Sequence, residues 1–236
     1  MTTRAAHISA ELRALASPEL ATLQQRFFKT GPGQYAEGDI FMGIKVPPLR
    51  ALAKQQRDIG LDTISTLLHS TYHEERLFAL LLLMQFYKKA SAQERDAAFN
   101  LYLNNTPHIN NWDLVDVSAP HIVGCHLSTR PREKLHHMAR SSSLWERRIA
   151  IISTLYFIRD NDFDDTLRLA TCLLHDTQDL MHKAVGWMLR EIGKRDFAVE
   201  EEFLLKHYRT MPRTMLRYAI ERFPETRRKE FLNDTI

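Results

Sequence analysis

The amino-acid sequence predicts an all-α protein made of stacked helical repeats. Apolar residues recur at the 3.6-residue period along almost all of the 236-residue chain. Sustained strand alternation and Asn-Gly hairpin signals are nearly absent. Four segments with a polar first turn, an apolar helix and a shorter amphipathic helix begin at residues 72, 110, 143 and 179. Helix pairs that recur about every 35 to 40 residues are typical of an α-solenoid with HEAT-like or armadillo-like repeats.

The individual helices are predicted from their apolar periodicity and from capping or breaking residues such as Ser91, Asn111, Ser143, Asp162 and Pro212. Their approximate ranges are 8–28, 47–57, 60–70, 72–90, 91–105, 112–127, 131–141, 144–159, 163–175, 179–195, 198–210 and 213–222. We expect them to form a single repeat domain over residues 1–236.

One segment, residues 29–48, departs from the helical period. It is rich in glycine and proline, and we predict it as one long ordered loop. Long ordered loops in compact helical chains often carry function. A simple connector between two helices is the alternative interpretation.

The composition describes an ordinary globular chain, with 44% apolar and 26% charged residues. A net charge of +3 permits a polyanionic partner without requiring one. The most apolar run, 77–86, is far shorter than the roughly 18 residues that indicate a membrane span, and the N-terminus lacks a signal-peptide core. Cys125 and Cys172 form no CxxC pair, so we expect buried free thiols. We therefore expect a soluble, cytoplasmic protein.

The stretch NNWDLVD, residues 110–116, raises a question of charge. Asp116 lies one helical turn after Trp112 inside an apolar run, where an ionised carboxylate is costly unless it is paired or solvated. Arg148 interrupts an apolar run in the next repeat, so a plain buried ion pair between the two is one explanation. A functional site is the other. Asp113, in the first helical turn, is explained by the helix dipole alone.

Basic and acidic residues are segregated along the chain. Residues 121–148 include six Lys or Arg, two Glu and four His. Residues 160–180 include six Asp and one Arg. This distribution predicts a basic concave face, which suits a phosphate backbone, although solvated charged helices are the alternative. All three tryptophans, Trp112, Trp145 and Trp187, lie in the repeat segments that begin at 110, 143 and 179, and on pattern alone each is expected in the core.

Other catalytic chemistry finds no support in the sequence. GxGxxG, P-loop, GxSxG and HExxH motifs are absent. The paired histidines, His136 with His137 and His121 with His126, are not spaced to place two metal ligands on one helical face. We therefore expect no cofactor and no metal.

Five stretches carry a resemblance to a known family: GDIFMGIKVPPLR (38–50), WDLVD (112–116), LWERRIAI (144–151), KAVGWMLRE (183–191) and RTMLRYAIERFPE (213–225). In these motifs, and over nearly its whole length, the chain resembles the AlkD-type DNA alkylation repair glycosylases, which are built of HEAT-like repeats. That family excises N3- and N7-alkylated purines from DNA without flipping the base into a pocket.

The resemblance implies roles for particular residues. Asp116 matches the family's catalytic carboxylate, Trp112 and Trp187 match its two active-site tryptophans, and Arg148 matches the arginine that binds phosphate near the lesion. Further candidate phosphate contacts are Arg147, Lys183, Arg190 and Lys194. The implied partner is double-stranded DNA with alkylated bases, bound by a monomer without membrane association.

The chemistry of these side chains agrees with such a reaction. A cationic alkylpurine leaves readily, and a carboxylate near the sugar stabilises the positive charge that develops there. Indole faces add to that stabilisation. No lysine stands out as a Schiff-base nucleophile for a second, strand-cleaving step, so we expect a monofunctional glycosylase. A non-catalytic HEAT-repeat DNA-binding or scaffold protein is the alternative, and a solenoid that binds proteins through an apolar groove is a third.

Overall fold

The computed structural model describes residues 3–236. Contacts between residues separate two compact units, one ending at Leu114 and the other comprising Val115–Ile236. The division falls inside one helix, α7 (Trp112–Ala119). The single domain that we expect over 1–236 remains a prediction, and the two units are described in turn.

The first unit is built around one long central helix. Its helices are α1 (Arg4–Arg13), α2 (Pro18–Phe27), α3 (Val46–Gln55), α4 (Leu61–Leu68), α5 (His73–Lys89) and α6 (Ala92–Asn104), followed by a 3-10 turn at Thr106–His108. α5 packs against α3, α4 and α6, and α4 also packs against α1. The run that the sequence shows as most apolar lies in α5 and is buried from Leu77 to Leu83.

The second unit continues from α7 through a wide π-type turn at Pro120–Gly124. Its further helices are α8 (Cys125–Leu127), α9 (Glu133–Met138), α10 (Leu144–Ser153), α11 (Leu155–Arg159), α12 (Asp164–Cys172), α13 (Asp179–Gly193), α14 (Phe197–His207), α15 (Arg213–Ala219) and α16 (Glu225–Asn233), with a 3-10 turn at Ile220–Arg222. α13 is central here and packs against α10, α12, α14 and α15.

Two helix predictions were wrong in detail. The single helix predicted over 8–28 is two helices, because Ser17 caps α2 by accepting a hydrogen bond from the Leu20 N–H and Pro18 starts its first turn. No helix was predicted beyond residue 222, yet α16 follows Pro224. Its sequence is polar and only Phe231 is buried, so it carries no apolar period to detect.

The loop between α2 and α3 is fastened to the start of α5. The Glu74 carboxylate is buried and accepts hydrogen bonds from the backbone N–H groups of Met42 (2.9 Å), Gly43 (2.8 Å) and Ile44 (3.1 Å). Gly43 has a φ of 82°, and a Cβ there would overlap the carbonyl oxygen of Ser17. The loop is therefore fixed by a buried side chain at one end of α5.

The fold class agrees with the prediction. Residues 3–236 contain no β-strand, and the only extended pairing found there is an isolated bridge between Ile40 and Tyr72. Within the same range, none of the helices combines the length and apolarity that crossing a membrane requires. Both cysteines are free thiols, but the expected burial was wrong, since Cys125 is half-buried and Cys172 is exposed.

Candidate active site

The start of α7 is fixed by buried polar side chains. Asn111 is fully buried, and its Oδ1 accepts a hydrogen bond from the Trp112 backbone N–H at 2.8 Å. Its Nδ2 donates to Asp39 at 3.2 Å. The Asp113 carboxylate accepts from the Leu114 N–H at 2.9 Å and also meets the positive end of the helix. The helix that carries Trp112 therefore begins at a defined residue.

Trp112 lies partly on an aromatic cluster in the first unit. Its ring stacks on Phe28 with centroids 5.4 Å apart and meets the edge of the exposed Phe27 at 6.1 Å. Phe28 in turn stacks on Phe41 at 4.9 Å. The predicted core position was wrong, because Trp112 is only half-buried and keeps part of the indole exposed.

Asp116 and Arg148 form an ion pair within the second unit. Arg148 donates from Nε to Asp116 Oδ1 at 2.9 Å and from Nη2 to Oδ2 at 2.8 Å, while its Nη1 donates to the Leu180 carbonyl at 2.5 Å. Such two-point Arg–carboxylate bonding is strong and directional. The Arg148 side chain is 5% exposed, against 18% for Asp116. The pair explains how a carboxylate is tolerated in this apolar run, and it leaves part of that carboxylate open to solvent.

Trp187 is oriented from within its own helix, α13. Its indole Nε1 donates to Glu191 at 2.9 Å, and Lys194 donates to the same carboxylate oxygen at 2.5 Å. Trp187 and Trp145 are both half-buried, so for these tryptophans too the predicted core position was wrong. The indole of Trp187 thus has a fixed orientation and an exposed part.

The four candidate phosphate contacts all have acidic partners inside the protein. The pairs are Arg147 with Asp176 (2.6 Å), Lys183 with Asp179 (2.7 Å), Arg190 with Glu221, and Lys194 with Glu191 (2.5 Å). Lys183 and Lys194 are the more open, with 38% and 44% of the side chain exposed. A phosphate at these positions would compete with a carboxylate that is already present.

Part of the segregated charge is neutralised between neighbouring elements of the second unit. Arg132 donates to Asp162 at 2.7 Å and to Asp165 at 2.9 Å, and His136 pairs with Asp165 at 2.8 Å. Burial would raise the pKa of Asp165, but the hydrogen bonds from His136 and Arg132 outweigh it and lower that pKa. The basic stretch 121–148 and the acidic stretch 160–180 therefore face each other, at least in part.

A buried ionic cluster next to Trp112 was not predicted from the sequence. His73, 2% exposed, places Nε2 2.8 Å from Asp113 and Nδ1 3.2 Å from Asp39. Arg76 donates to the other oxygen of Asp39 at 2.6 Å. The polar first turn of α5, HEER, was the available signal, but its partners come from two distant segments of the chain.

The cluster changes the ionisation of its members. Burial alone would lower the pKa of His73, but the negative charge of Asp113 and the hydrogen bonds to both carboxylates raise it to about 9. Burial would raise the pKa of Asp39, yet the hydrogen bond from His73 and the charge of Arg76 lower it. At neutral pH the cluster therefore contains two cations and two anions. No group of three His, Cys, Asp or Glu side chains in residues 3–236 is placed to hold a metal ion.

The fold also occurs in solved structures, of which two are examples. A predicted DNA alkylation repair enzyme from Enterococcus faecalis superposes with a TM-score of 0.69 at 20% identity, covering 89% of this chain and 97% of the other. AlkD2 from Streptococcus mutans superposes with a TM-score of 0.53 at 18% identity, covering 88% of this chain and 98% of the other. These likenesses confirm the predicted fold class, an all-α solenoid of helical repeats.

The sequence assigns the chain to a family as well. Residues 8–223 match the sequence profile of the DNA alkylation repair enzymes, so the chain belongs to that family. No curated protein sequence matches it significantly. The class of protein is therefore a DNA alkylation repair enzyme, and DNA is the substrate that the family implies.

Proposed function

We propose that this enzyme is a monofunctional DNA glycosylase that excises cationic N3- or N7-alkylated purines from duplex DNA without extruding the base. The observation that carries the proposal is the Asp116 carboxylate, held by two hydrogen bonds from a buried arginine while 18% exposed. A carboxylate arranged in this way is ionised, immobile and accessible. Those are the properties required to stabilise a developing cation.

The reaction that follows from this arrangement is a hydrolysis. The bond between C1′ and the purine nitrogen breaks, and its electron pair neutralises the cationic base, which leaves as a neutral alkylpurine. Positive charge develops on the deoxyribose, where Asp116 stabilises it and orients a water molecule. The water oxygen bonds to C1′ and the proton it loses passes to solvent, so an abasic site remains. No metal or cofactor takes part.

The remaining side chains of the proposed site have supporting roles. Arg148 keeps Asp116 ionised and fixed, and its positive charge favours a phosphate near the damaged nucleotide. Trp112 and Trp187 offer partly exposed indoles, whose faces stabilise a cationic sugar electrostatically. Arg147, Lys183, Arg190 and Lys194 are proposed to contact phosphates. We expect the enzyme to act as a monomer.

The test is release of free base from duplex DNA that carries N7-methylguanine. We expect the wild-type protein to release it and Asp116→Asn to reduce the rate by about 10²-fold or more, since the developing charge loses its stabilising anion. The matched control is Asp165→Asn, which alters another Arg–Asp pair of the second unit, with the Asp side chain 15% exposed. Asp165→Asn should leave the rate unchanged.

Three results would contradict the proposal. Equal release by wild type and Asp116→Asn would remove Asp116 from the chemistry. Salt-dependent DNA binding by the wild type without any base release would favour a non-catalytic DNA-binding protein. Equal losses in Asp116→Asn and Asp165→Asn would indicate a fold effect, and they too would count against a catalytic Asp116.

A further inference from the structure

His73 has the geometry of a residue that is protonated at neutral pH. Both ring nitrogens face carboxylate oxygens, Nδ1 toward Asp39 at 3.2 Å and Nε2 toward Asp113 at 2.8 Å. An ionised carboxylate only accepts hydrogen bonds, and a neutral imidazole has a single N–H. The imidazolium alone can therefore satisfy both contacts, and with the side chain 2% exposed, water cannot readily replace either of them.

Two structural routes connect His73 to Trp112. The first runs through the hydrogen bond from His73 to Asp113, the residue that follows Trp112 in the first turn of α7. The second runs through ring contacts, since the Phe28 ring lies tilted against the His73 ring at 5.2 Å and stacks on the Trp112 ring at 5.4 Å. Phe41 stacks on His73 from 4.5 Å and completes the packing around the imidazole.

We propose that His73 is a positioning residue for Trp112: the imidazolium, bonded to Asp113 and packed on Phe28, fixes the first turn of α7 and with it the indole. The inference rests on the proposed function, in which Trp112 contacts the damaged nucleotide. His73 itself does not touch DNA. It holds in place a side chain that does.

The groups around the imidazole determine which carboxylate is left without a facing cation when the proton leaves. Asp39, on the loop, would still be paired with a cation after His73 loses its proton, because Arg76 donates a hydrogen bond to it at 2.6 Å. Glu74, beside His73 on α5, is engaged by three backbone N–H groups, and Tyr35 packs against the same aromatic rings. Asp113 would lose the cation that faces it. Deprotonation therefore removes the charge attraction on the side chain nearest to Trp112, and the single N–H of the neutral ring can bond only one of the two carboxylates.

The experiment combines a spectroscopic and a kinetic measurement on the full chain. Protein labelled with 5-fluorotryptophan gives a 19F resonance for Trp112, assigned by its absence in Trp112→Phe. We expect one sharp resonance at neutral pH in the wild type and a broadened or split one in His73→Gln. The single-turnover excision rate at saturating protein should fall by about 10²-fold, with half-saturation little changed, because the indole is misplaced rather than lost.

The pH profile separates positioning from a merely structural role. In the wild type, the Trp112 resonance and the excision rate should both change as the pH rises toward 9, where His73 loses its proton. His73→Gln should lack this transition. Asp113→Asn keeps an acceptor but removes the charge, so the transition should move to lower pH. The matched control is His136→Gln, which alters the partly exposed His136–Asp165 pair at 2.8 Å.

Each outcome bears on the inference. A sharp and pH-independent Trp112 resonance in both His73→Gln and Asp113→Asn would overturn it, whatever the excision rate. If His73→Gln does not fold, the test rests on Asp113→Asn alone: a Trp112 transition that moves to lower pH supports the inference, and one that does not move contradicts it. A wild type whose Trp112 resonance titrates but which releases no base would support the link between His73 and Trp112 while contradicting the proposed glycosylase.

Discussion

At the residue scale, Glu200 on α14 is a carboxyl group in an unfavourable place. It is 2% exposed, packs against Gly193 at the end of α13, and its Oε1 finds no hydrogen-bond partner among the described residues. Burial raises the pKa of Glu200, the charge of Arg190 lowers it and the charge of Glu191 raises it, and the net result is a pKa of about 9. The group is therefore protonated in the folded protein at neutral pH.

Because Glu200 is protonated in the folded protein, Glu200→Gln should increase the stability of the protein by an amount that depends on pH. The unfolded chain releases the Glu200 proton near pH 4.5, whereas the folded protein retains it until about 9, so stability falls as the pH rises through that window. A neutral glutamine removes that loss. We expect Glu200→Gln to increase the free energy of unfolding by about 1 to 3 kcal/mol at pH 7 and to change it little at pH 4.5.

Denaturant unfolding at the two pH values measures this difference. Glu202→Gln is the control, because Glu202 lies on the same helix with 69% of its side chain exposed. A gain in stability for Glu200→Gln that is equal at pH 4.5 and pH 7 would show that packing, and not ionisation, is responsible.

The ion pair between Asp116 and Arg148 could be anticipated from the sequence, since each residue interrupts an apolar run in a neighbouring repeat. The His73 cluster could not. Its members come from the loop, from α5 and from α7, and each has an ordinary local explanation. Asp113, for example, suits the first turn of any helix. A buried ionic network whose partners lie far apart in sequence leaves no periodic signal.

At the scale of the elements, the contact between α13 and α15 depends on one small residue. A Cβ on Gly186 would overlap the backbone oxygen of Met215 and the Cβ of Tyr218. Backbone cannot move aside as a flexible side chain can, so the two helices approach this closely only because residue 186 is glycine. Trp187, in the proposed active site, is the next residue along α13.

We therefore expect Gly186→Ala to destabilise the protein by about 1 to 3 kcal/mol, as overpacked contacts do, and to lower the thermal midpoint. The opposite expectation comes from helix propensity, which favours alanine over glycine by about 1 kcal/mol. The close contact should outweigh propensity. Gly60→Ala is the control, because a Cβ on Gly60 meets nothing within 4 Å. A stabilised Gly186→Ala would mean that α13 and α15 separate at little cost.

Helix limits were predictable where an apolar period met a clear break, as for α5, predicted over 72–90 and found at His73–Lys89. Helix limits were predicted wrongly where the apolar period continued across a real helix end. The apolar pattern runs across residues 14–17, so the sequence suggests a continuous helix there, although Ser17 and Pro18 are an N-cap and a first-turn proline. Local capping chemistry outweighed periodicity at this position.

At the scale of the whole molecule, the repeat period and the helical composition gave the fold class, because every repeat must bury an apolar helix face against a neighbour. The distribution of charge was harder to interpret. A linear sequence shows a basic stretch and an acidic stretch, but not that Arg132 and Asp165 bond to each other. Charge available to DNA is what remains after such internal pairing.

That distinction gives a prediction for DNA binding. Lys183 forms a 2.7 Å pair with Asp179, and the hydrogen bond from Lys183, together with its charge, lowers the pKa of that carboxyl group. If Lys183 contacts a phosphate, Lys183→Ala should weaken binding to duplex DNA and reduce the slope of log affinity against log salt by about 1. Asp179→Asn should strengthen binding, because the lysine is then released from its internal competitor.

The matched control is Lys206→Ala, since Lys206 forms a similar exposed pair with Glu202 at 2.6 Å but is not among the proposed contacts. Fluorescence anisotropy titrations at several salt concentrations measure all three variants. Equal slopes for Lys183→Ala and Lys206→Ala would exclude Lys183 from the DNA interface. A reduced slope in Lys183→Ala alone would mean that its charge, although paired in the free protein, becomes available when the phosphate backbone replaces the carboxylate.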